Sequence, residues 1–107
     1  MELRTRLIDI LLDATAREDE RDDAAIDLGY FEGHEVVQAL FTVAMDASFQ
    51  SEMVKGSCGE SLASVWVRTG EIDFGLLSQL EGTAFNEAVA IIKEKRKDWY
   101  SEYLALN

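Results

Sequence analysis

The sequence contains no proline, one cysteine and one histidine among its 107 residues. The single cysteine excludes an intramolecular disulfide, as is common in a reducing compartment. It also excludes a structural zinc site, because such sites need several Cys or His ligands together. No apolar run approaches the roughly 20 residues of a membrane span, and residues 1–6 lead into an amphipathic pattern instead of the apolar core of a signal peptide. We therefore expect a soluble, cytoplasmic protein.

Positive charge is scarce as well. The 10 Lys and Arg residues face 21 Asp and Glu residues, which gives a formal net charge of −11. Residues 1–50 contain most of this excess, and only residues 93–107 are net positive. Such a balance opposes binding to nucleic acid or to anionic membranes and favours a basic protein partner through electrostatic steering. Acidic charge that serves only solubility is the simpler alternative.

The composition supports one folded domain. A hydrophobic content of 48% in 107 residues can supply a single core, so we predict one domain over residues 1–107. Apolar positions recur at helical spacing along the chain, and no segment alternates convincingly with a period of two. The prediction is an all-α fold of about six helices.

The helix boundaries follow from apolar stripes and capping signals. The predicted helices cover residues 2–17, a short segment through 24–28 after an acidic interruption, 35–46, 57–70, a short segment capped by Asp73, and 83–103. The fourth helix begins at a Ser-x-x-Glu capping box formed by Ser57 and Glu60. Residues 47–56 are predicted to be a polar, mobile loop.

Two stretches of the chain share one pattern. Residues 23–44 and 59–80 each contain a helix, a glycine-bearing turn and a second apolar helix. Val36 and Phe74 correspond at an offset of 38 residues, and Leu40 and Leu77 at an offset of 37. This period is typical of helical-hairpin repeats, which stack to bury faces that one hairpin cannot cover.

The segments DDAAIDLG (22–29) and EVVQAL (35–40) resemble the HEAT-like pattern of an acidic, alanine-rich helix, a turn and a second helix, and GSCGESLA (56–63) extends it. The resemblance covers residues 22–80 and implies two HEAT-like helical hairpins with flanking N- and C-terminal helices. HEAT-like proteins are mostly scaffolds for protein binding, and small acidic members are similar to bacterial immunity proteins that neutralise toxins. The chain departs from a standard repeat because it lacks the turn proline and has a longer loop.

The densest chemical feature is a block of five carboxylates within residues 18–23. Crowded like charges destabilise a fold, and a cationic partner would relieve them; a solvated charged loop is the competing interpretation. The adjacent aromatic pair at a predicted turn suits an interface, because aromatic anchors dominate binding energy. The candidate partner-binding residues are Glu18, Asp19, Glu20, Asp22, Asp23, Asp27, Tyr30, Phe31, Glu32 and Glu35.

Catalysis has only two candidate residues, His34 and Cys58. Cys58 at a predicted helix N-terminus could have a lowered pKa and a reactive thiolate, but a small buried residue is the favoured interpretation because free cysteine is usually buried. The acidic block lacks the sequence of a calcium-binding loop. We expect no cofactor and no metal site.

The sequence favours a non-catalytic protein-binding domain. Its specific form, which the resemblance implies, is an immunity protein that occludes a basic toxin such as a nuclease through an acidic surface. One alternative is a structural or adaptor subunit that binds through a hydrophobic helix face, and a second is an enzyme that uses His34 or Cys58. The partner and the oligomeric state cannot be read from the sequence.

Overall fold

The computed structural model describes residues 2–106, which form seven α-helices and no β-strand. The helices are α1 (Leu3–Leu12), α2 (Glu18–Leu28), α3 (His34–Ala44), α4 (Glu52–Thr69), α5 (Phe74–Gln79), α6 (Gly82–Lys95) and α7 (Lys97–Leu106). The prediction of an all-α fold is confirmed. The two ends of the predicted domain, residues 1 and 107, lie outside the described residues. No helix in the described part of the chain is both long enough and apolar enough to cross a bilayer.

The longest helix, α4, is the centre of the fold. It contacts α6 most extensively and also packs against α2 and α3. Helix α1 packs against α2 and α3, and α7 packs against α6. The buried apolar side chains of these helices form one core. Because α2 lies between α1 and α4, its buried side is fixed by two neighbours and its other side faces solvent.

The sequence pattern indicated that the acidic block interrupts a helix, but in the structure it does not. Helix α1 ends at Leu12, and the predicted extension to residue 17 is wrong. A turn follows in which Asp13 Oδ1 accepts hydrogen bonds from the backbone N–H and the hydroxyl of Thr15, at 2.8 and 2.7 Å. Helix α2 then begins directly with Glu18. Carboxylates in a first helical turn interact favourably with its free N–H groups, so the block starts a helix.

The predicted capping box at Ser57 and Glu60 is wrong. Helix α4 begins six residues earlier, where the Ser51 hydroxyl accepts a hydrogen bond from the Val54 N–H at 3.2 Å. Val54 is fully buried, and its packing extends the helix backwards through residues that look polar in sequence. The loop predicted over residues 47–56 is correspondingly shorter.

The prediction of one final helix over residues 83–103 is also wrong. The helix breaks at Arg96, whose backbone lies at φ −138° and ψ 76°. The Arg96 guanidinium donates to both carboxylate oxygens of Asp98, at 2.9 and 2.8 Å, and lies 3.8 Å from the centroid of the Trp99 ring. These contacts fold the chain back at the point where periodicity alone continues it.

Other helix ends lie where the sequence predicts them. The Asp73 side chain accepts from the Leu76 N–H and caps α5, as expected. Gly70 ends α4 at φ +76°, a conformation that glycine adopts without steric cost. The two stacked HEAT-like hairpins, however, are not confirmed. Helices α2 and α3 contact each other little, and each packs mainly on α1 and α4.

Candidate protein-binding surface

Helix α2 places its carboxylates on one exposed side. Arg21, Ala24, Ala25 and Leu28 form its buried side. Because successive residues rotate by about 100° around a helix axis, the acidic residues between them project outwards. Asp19, Asp23 and Asp27 are spaced by four residues and therefore form one exposed row.

A buried arginine fixes the orientation of this helix. Arg21 is only 5% exposed, its Nε donates to the Leu11 carbonyl at 2.9 Å, and its guanidinium lies 4.1 Å from the centroid of the Phe49 ring. It thereby caps the C-terminus of α1 and holds α2 against it. The pKa of Asp13 is lowered by hydrogen bonds from Thr15 and, to a smaller extent, by the charge of Arg21.

Four of the predicted surface carboxylates have partners within the molecule. Asp19 pairs with Arg17 Nε at 3.0 Å, and Glu20 accepts from the backbone N–H of Arg17 at 3.2 Å. Asp22 accepts from the Ser57 hydroxyl at 2.6 Å, and Glu35 pairs with Arg4 at 3.0 Å. The hydrogen bond from Arg17 also lowers the pKa of Asp19.

The other four predicted carboxylates have no ion-pair partner among the described residues. Glu18, Asp23, Asp27 and Glu32 are exposed and form no ion pair with any of the residues 2–106. The first three lie on α2, whereas Glu32 lies in the turn before α3. The predicted set therefore divides into the carboxylates of α2, half of which have a partner, and one turn region next to Arg4.

The aromatic pair at this turn has two different environments. Tyr30 is 79% exposed, whereas Phe31 is partly buried and packs against the core. Of the predicted aromatic pair, Tyr30 is therefore the more accessible ring. The structure adds Ile26, which is 46% exposed and lies one helical turn before Tyr30. Its position away from the buried stripe of α2 was the sequence signal for this exposed apolar residue.

Two arginines hold the turn that carries Tyr30. Arg68 of α4 donates from Nη1 to the Gly29 carbonyl at 2.7 Å and from Nη2 to the Phe31 carbonyl at 2.6 Å. Arg4 of α1 donates to the Glu32 carbonyl at 3.1 Å. The exposed ring is therefore presented on a backbone that is fixed from two sides. The sequence did not indicate this role for either arginine.

The two candidate catalytic residues, His34 and Cys58, lie in different environments. Cys58 lies within α4 and not at its N-terminus, and it is fully buried. The favoured interpretation of a small buried residue is confirmed, and burial raises the pKa of the thiol to about 12. His34 begins α3 and lines an open groove of about 600 Å³ together with Trp66 and Glu71, a groove that Cys58 does not line.

Within residues 2–106, no group of three or more His, Cys, Asp or Glu side chains is arranged to hold a metal ion. Comparison with known proteins finds no matching family model, no matching curated protein and no matching solved structure. The geometry of the α2 face is thus the basis for the functional interpretation.

Proposed function

We propose that this chain is a non-catalytic protein-binding domain that recognises a basic protein through the exposed face of α2. The observation that carries the proposal is the row of Asp19, Asp23 and Asp27, which has one cation beside it and continues into two exposed apolar side chains, Ile26 and Tyr30. Charge for encounter and apolar area for anchoring lie next to each other on α2 and on the turn that follows it.

The energetics of this row support the proposal. Like charges four residues apart on a helix destabilise it by about 0.2–0.5 kcal/mol per pair. The burial of Arg21 and Leu28 fixes which side of α2 faces solvent, so the carboxylates cannot turn away from one another. A positively charged partner that docks on this face would remove the repulsion, and part of its binding energy would come from that relief.

The specific form that we propose is an immunity protein. A nuclease toxin must carry positive charge to hold its substrate, so its active-site surface is complementary to the α2 face. Association would begin with electrostatic steering and end with docking of Ile26 and Tyr30, and occlusion of the toxin would require no chemistry from this chain.

A charge-removal experiment tests the proposed face. The test variant combines Glu18→Gln, Asp23→Asn and Asp27→Asn, because these side chains have no internal ion pair. Changes at Asp22 or Glu20 are avoided, since both carboxylates accept hydrogen bonds that support the fold. The matched control removes the same charge elsewhere through Glu71→Gln, Glu94→Gln and Glu102→Gln, all at exposed positions.

Each immobilised variant is exposed to native lysate, and captured proteins are identified by mass spectrometry. We expect one basic protein to bind the wild type and the control variant and to be lost from the α2 variant. Its association rate with the wild type should fall steeply as salt rises, because exposed charges are screened beyond about 10 Å at 0.1 M. Equal capture by both variants would contradict the α2 face and favour the adaptor alternative with its apolar contact.

The immunity form has its own test. The captured protein is purified and assayed for nuclease activity or for toxicity on expression, with and without this chain. Inhibition that is complete at an equimolar ratio supports occlusion. A captured protein that keeps its full activity in the complex would contradict the immunity form and leave only a binding role.

A further inference from the structure

A small groove lies between the C-terminal half of α2 and the middle of α4. Its volume is about 140 Å³, and its walls include the apolar side chains of Ile26 and Tyr30. The α4 side is polar and contributes Ser57, Glu60 and Ser64. At about 30 Å³ per water molecule, the groove holds the equivalent of four or five waters. A single long side chain fits this space, and a helix does not.

The two ends of the groove differ in charge. Arg68 lies at one end, with its guanidinium engaged by the carbonyls of Gly29 and Phe31. Glu60 lies eight residues earlier in α4, which is about 12 Å along the helix axis. The Ser57 hydroxyl, at the Glu60 end, is hydrogen bonded to the Asp22 carboxylate at 2.6 Å. One end is thus positive, and the other carries the Glu60 carboxylate and the Ser57 hydroxyl, which donates to Asp22.

The negative end is extended by neighbouring residues. A second, shallower groove begins at Ser57 and Glu60 and is lined further along by Glu52 and Glu87. No lysine or arginine lines that second groove. A cationic group that enters the first groove is therefore attracted towards Glu60 and the carboxylates of the second groove, and it is repelled by Arg68 at the other end.

We propose that this groove receives one lysine side chain of the partner. This inference rests on the proposed function and names the group that the partner inserts. The four methylenes pack against Ile26 and Tyr30, and the ammonium lies against Glu60 with the Ser57 and Ser64 hydroxyls nearby. Lysine suits the groove because its stem buries apolar area while its compact charge is placed at the tip. An arginine head is larger and planar, so it needs more of this small volume.

The test uses the full chain and a defined probe. Nα-acetyl-lysine methylamide is added at millimolar concentration to the ¹⁵N-labelled protein at constant ionic strength, and the amide spectrum is recorded. The norleucine analogue has the same stem without the amine, and the arginine analogue has the larger head. We expect saturable shifts at the amides of Tyr30 and Ser64 with the lysine probe and much smaller shifts with the other two.

Two substitutions locate the effect. Ile26→Ser removes an apolar wall and Glu60→Gln removes a carboxylate, and each should weaken the lysine response about fivefold. The matched control Glu71→Gln should leave it unchanged. Equal shifts with norleucine or arginine, or lysine shifts confined to residues 18–23, would overturn the inference. Unfolding midpoints of the variants show whether a lost response is a folding defect.

This inference and the proposed function fail in different ways. Charge-dependent capture with no lysine response in the groove would reject the inference and leave the α2 face as the binding surface. A lysine response in the groove together with capture that ignores the α2 charges would reject the proposed face and keep the groove as a lysine site.

Discussion

Gly59 of α4 lies directly against the backbone of Ala84 in α6. A Cβ atom at position 59 would be 2.1 Å from the Ala84 carbonyl oxygen and 2.7 Å from its carbonyl carbon. Both atoms belong to the main chain, so no side-chain rotation can relieve the contact. The most extensive helix contact of the fold therefore depends on a missing side chain at one position.

We expect Gly59→Ala to lower the free energy of unfolding by about 3 kcal/mol, because the added methyl group must separate two packed helices. Urea denaturation measures the change. The matched control is Gly56→Ala in the same helix, where the added Cβ would meet the Thr83 methyl group at 2.9 Å. That contact is with a side chain, and alanine gains up to about 1 kcal/mol of helix propensity. A wild-type midpoint for Gly59→Ala would contradict the packing of α4 on α6.

Arg21 is the next position at which one substitution has a defined effect. Arg21→Met keeps the aliphatic bulk but removes the donor to the Leu11 carbonyl and the cation above the Phe49 ring. We expect a loss of about 2 kcal/mol in the free energy of unfolding, from one unsatisfied acceptor and one lost cation–π contact.

The control for Arg21 is Arg17→Met, four residues earlier. Arg17 is exposed and pairs with Asp19 on the surface, so its removal should cost much less than the removal of Arg21. Both substitutions delete one positive charge from the same acidic neighbourhood. A similar loss for the two variants would mean that net charge, and not the buried contacts of Arg21, stabilises α2.

The comparison of Arg21 with the periodic core shows which features a sequence can predict. Leu7, Leu11, Leu40 and Ile92 fall on helical stripes, and all four are buried. Their burial follows from spacing within one helix, a property of the local sequence. Arg21 sits in a run of charges that predicts a surface, and its burial depends on Leu11 and Phe49, which meet it only in the folded chain.

The same reasoning explains the misplaced helix ends. Gly70 and Asp73 were predicted correctly because a left-handed glycine and an Asp cap are local. Ser57 was predicted as a cap from its spacing to Glu60, whereas the burial of Val54 against its tertiary neighbours moves the cap to Ser51. The acidic residues of the candidate surface were predicted from their charge, but their place on one helix face was not, because the block was predicted to interrupt a helix. The groove beside Ile26 could not be predicted in this way, because its other wall is formed by α4.

The buried thiol of Cys58 makes the free energy of unfolding fall as the pH becomes alkaline. Its pKa is about 12 in the folded chain, against an ordinary value of 9.0. Between these values the unfolded chain loses the thiol proton while the folded chain keeps it, so rising pH favours unfolding. The contribution of the buried thiol is fully present below about pH 9 and is lost as the pH approaches 12.

Cys58→Ala should remove this dependence. We expect the stability advantage of the wild type over Cys58→Ala to shrink by up to about 1.4 kcal/mol per pH unit above pH 9. Urea unfolding of both proteins from neutral to alkaline pH measures the difference, in which the shared titration of lysines and tyrosines cancels. A difference that stays constant with pH would show that the thiol ionises in the folded chain.

The break between α6 and α7 makes a prediction at acidic pH. The hydrogen bond from Arg96 lowers the pKa of Asp98 to about 2. Because the pKa is depressed in the folded chain, the ionised carboxylate stabilises the break above about pH 4, and this contribution is lost as the pH falls towards 2.

An NMR titration of the Asp98 carboxyl carbon should therefore show a midpoint near 2 in the wild type. In Arg96→Met the midpoint should return towards the ordinary value of 3.8. The control is Lys95→Met, which removes a neighbouring charge that pairs with Glu94 and not with Asp98. It should leave the Asp98 midpoint low. A rise of equal size in both variants would mean that general charge, and not the Arg96 contact, depresses the Asp98 pKa.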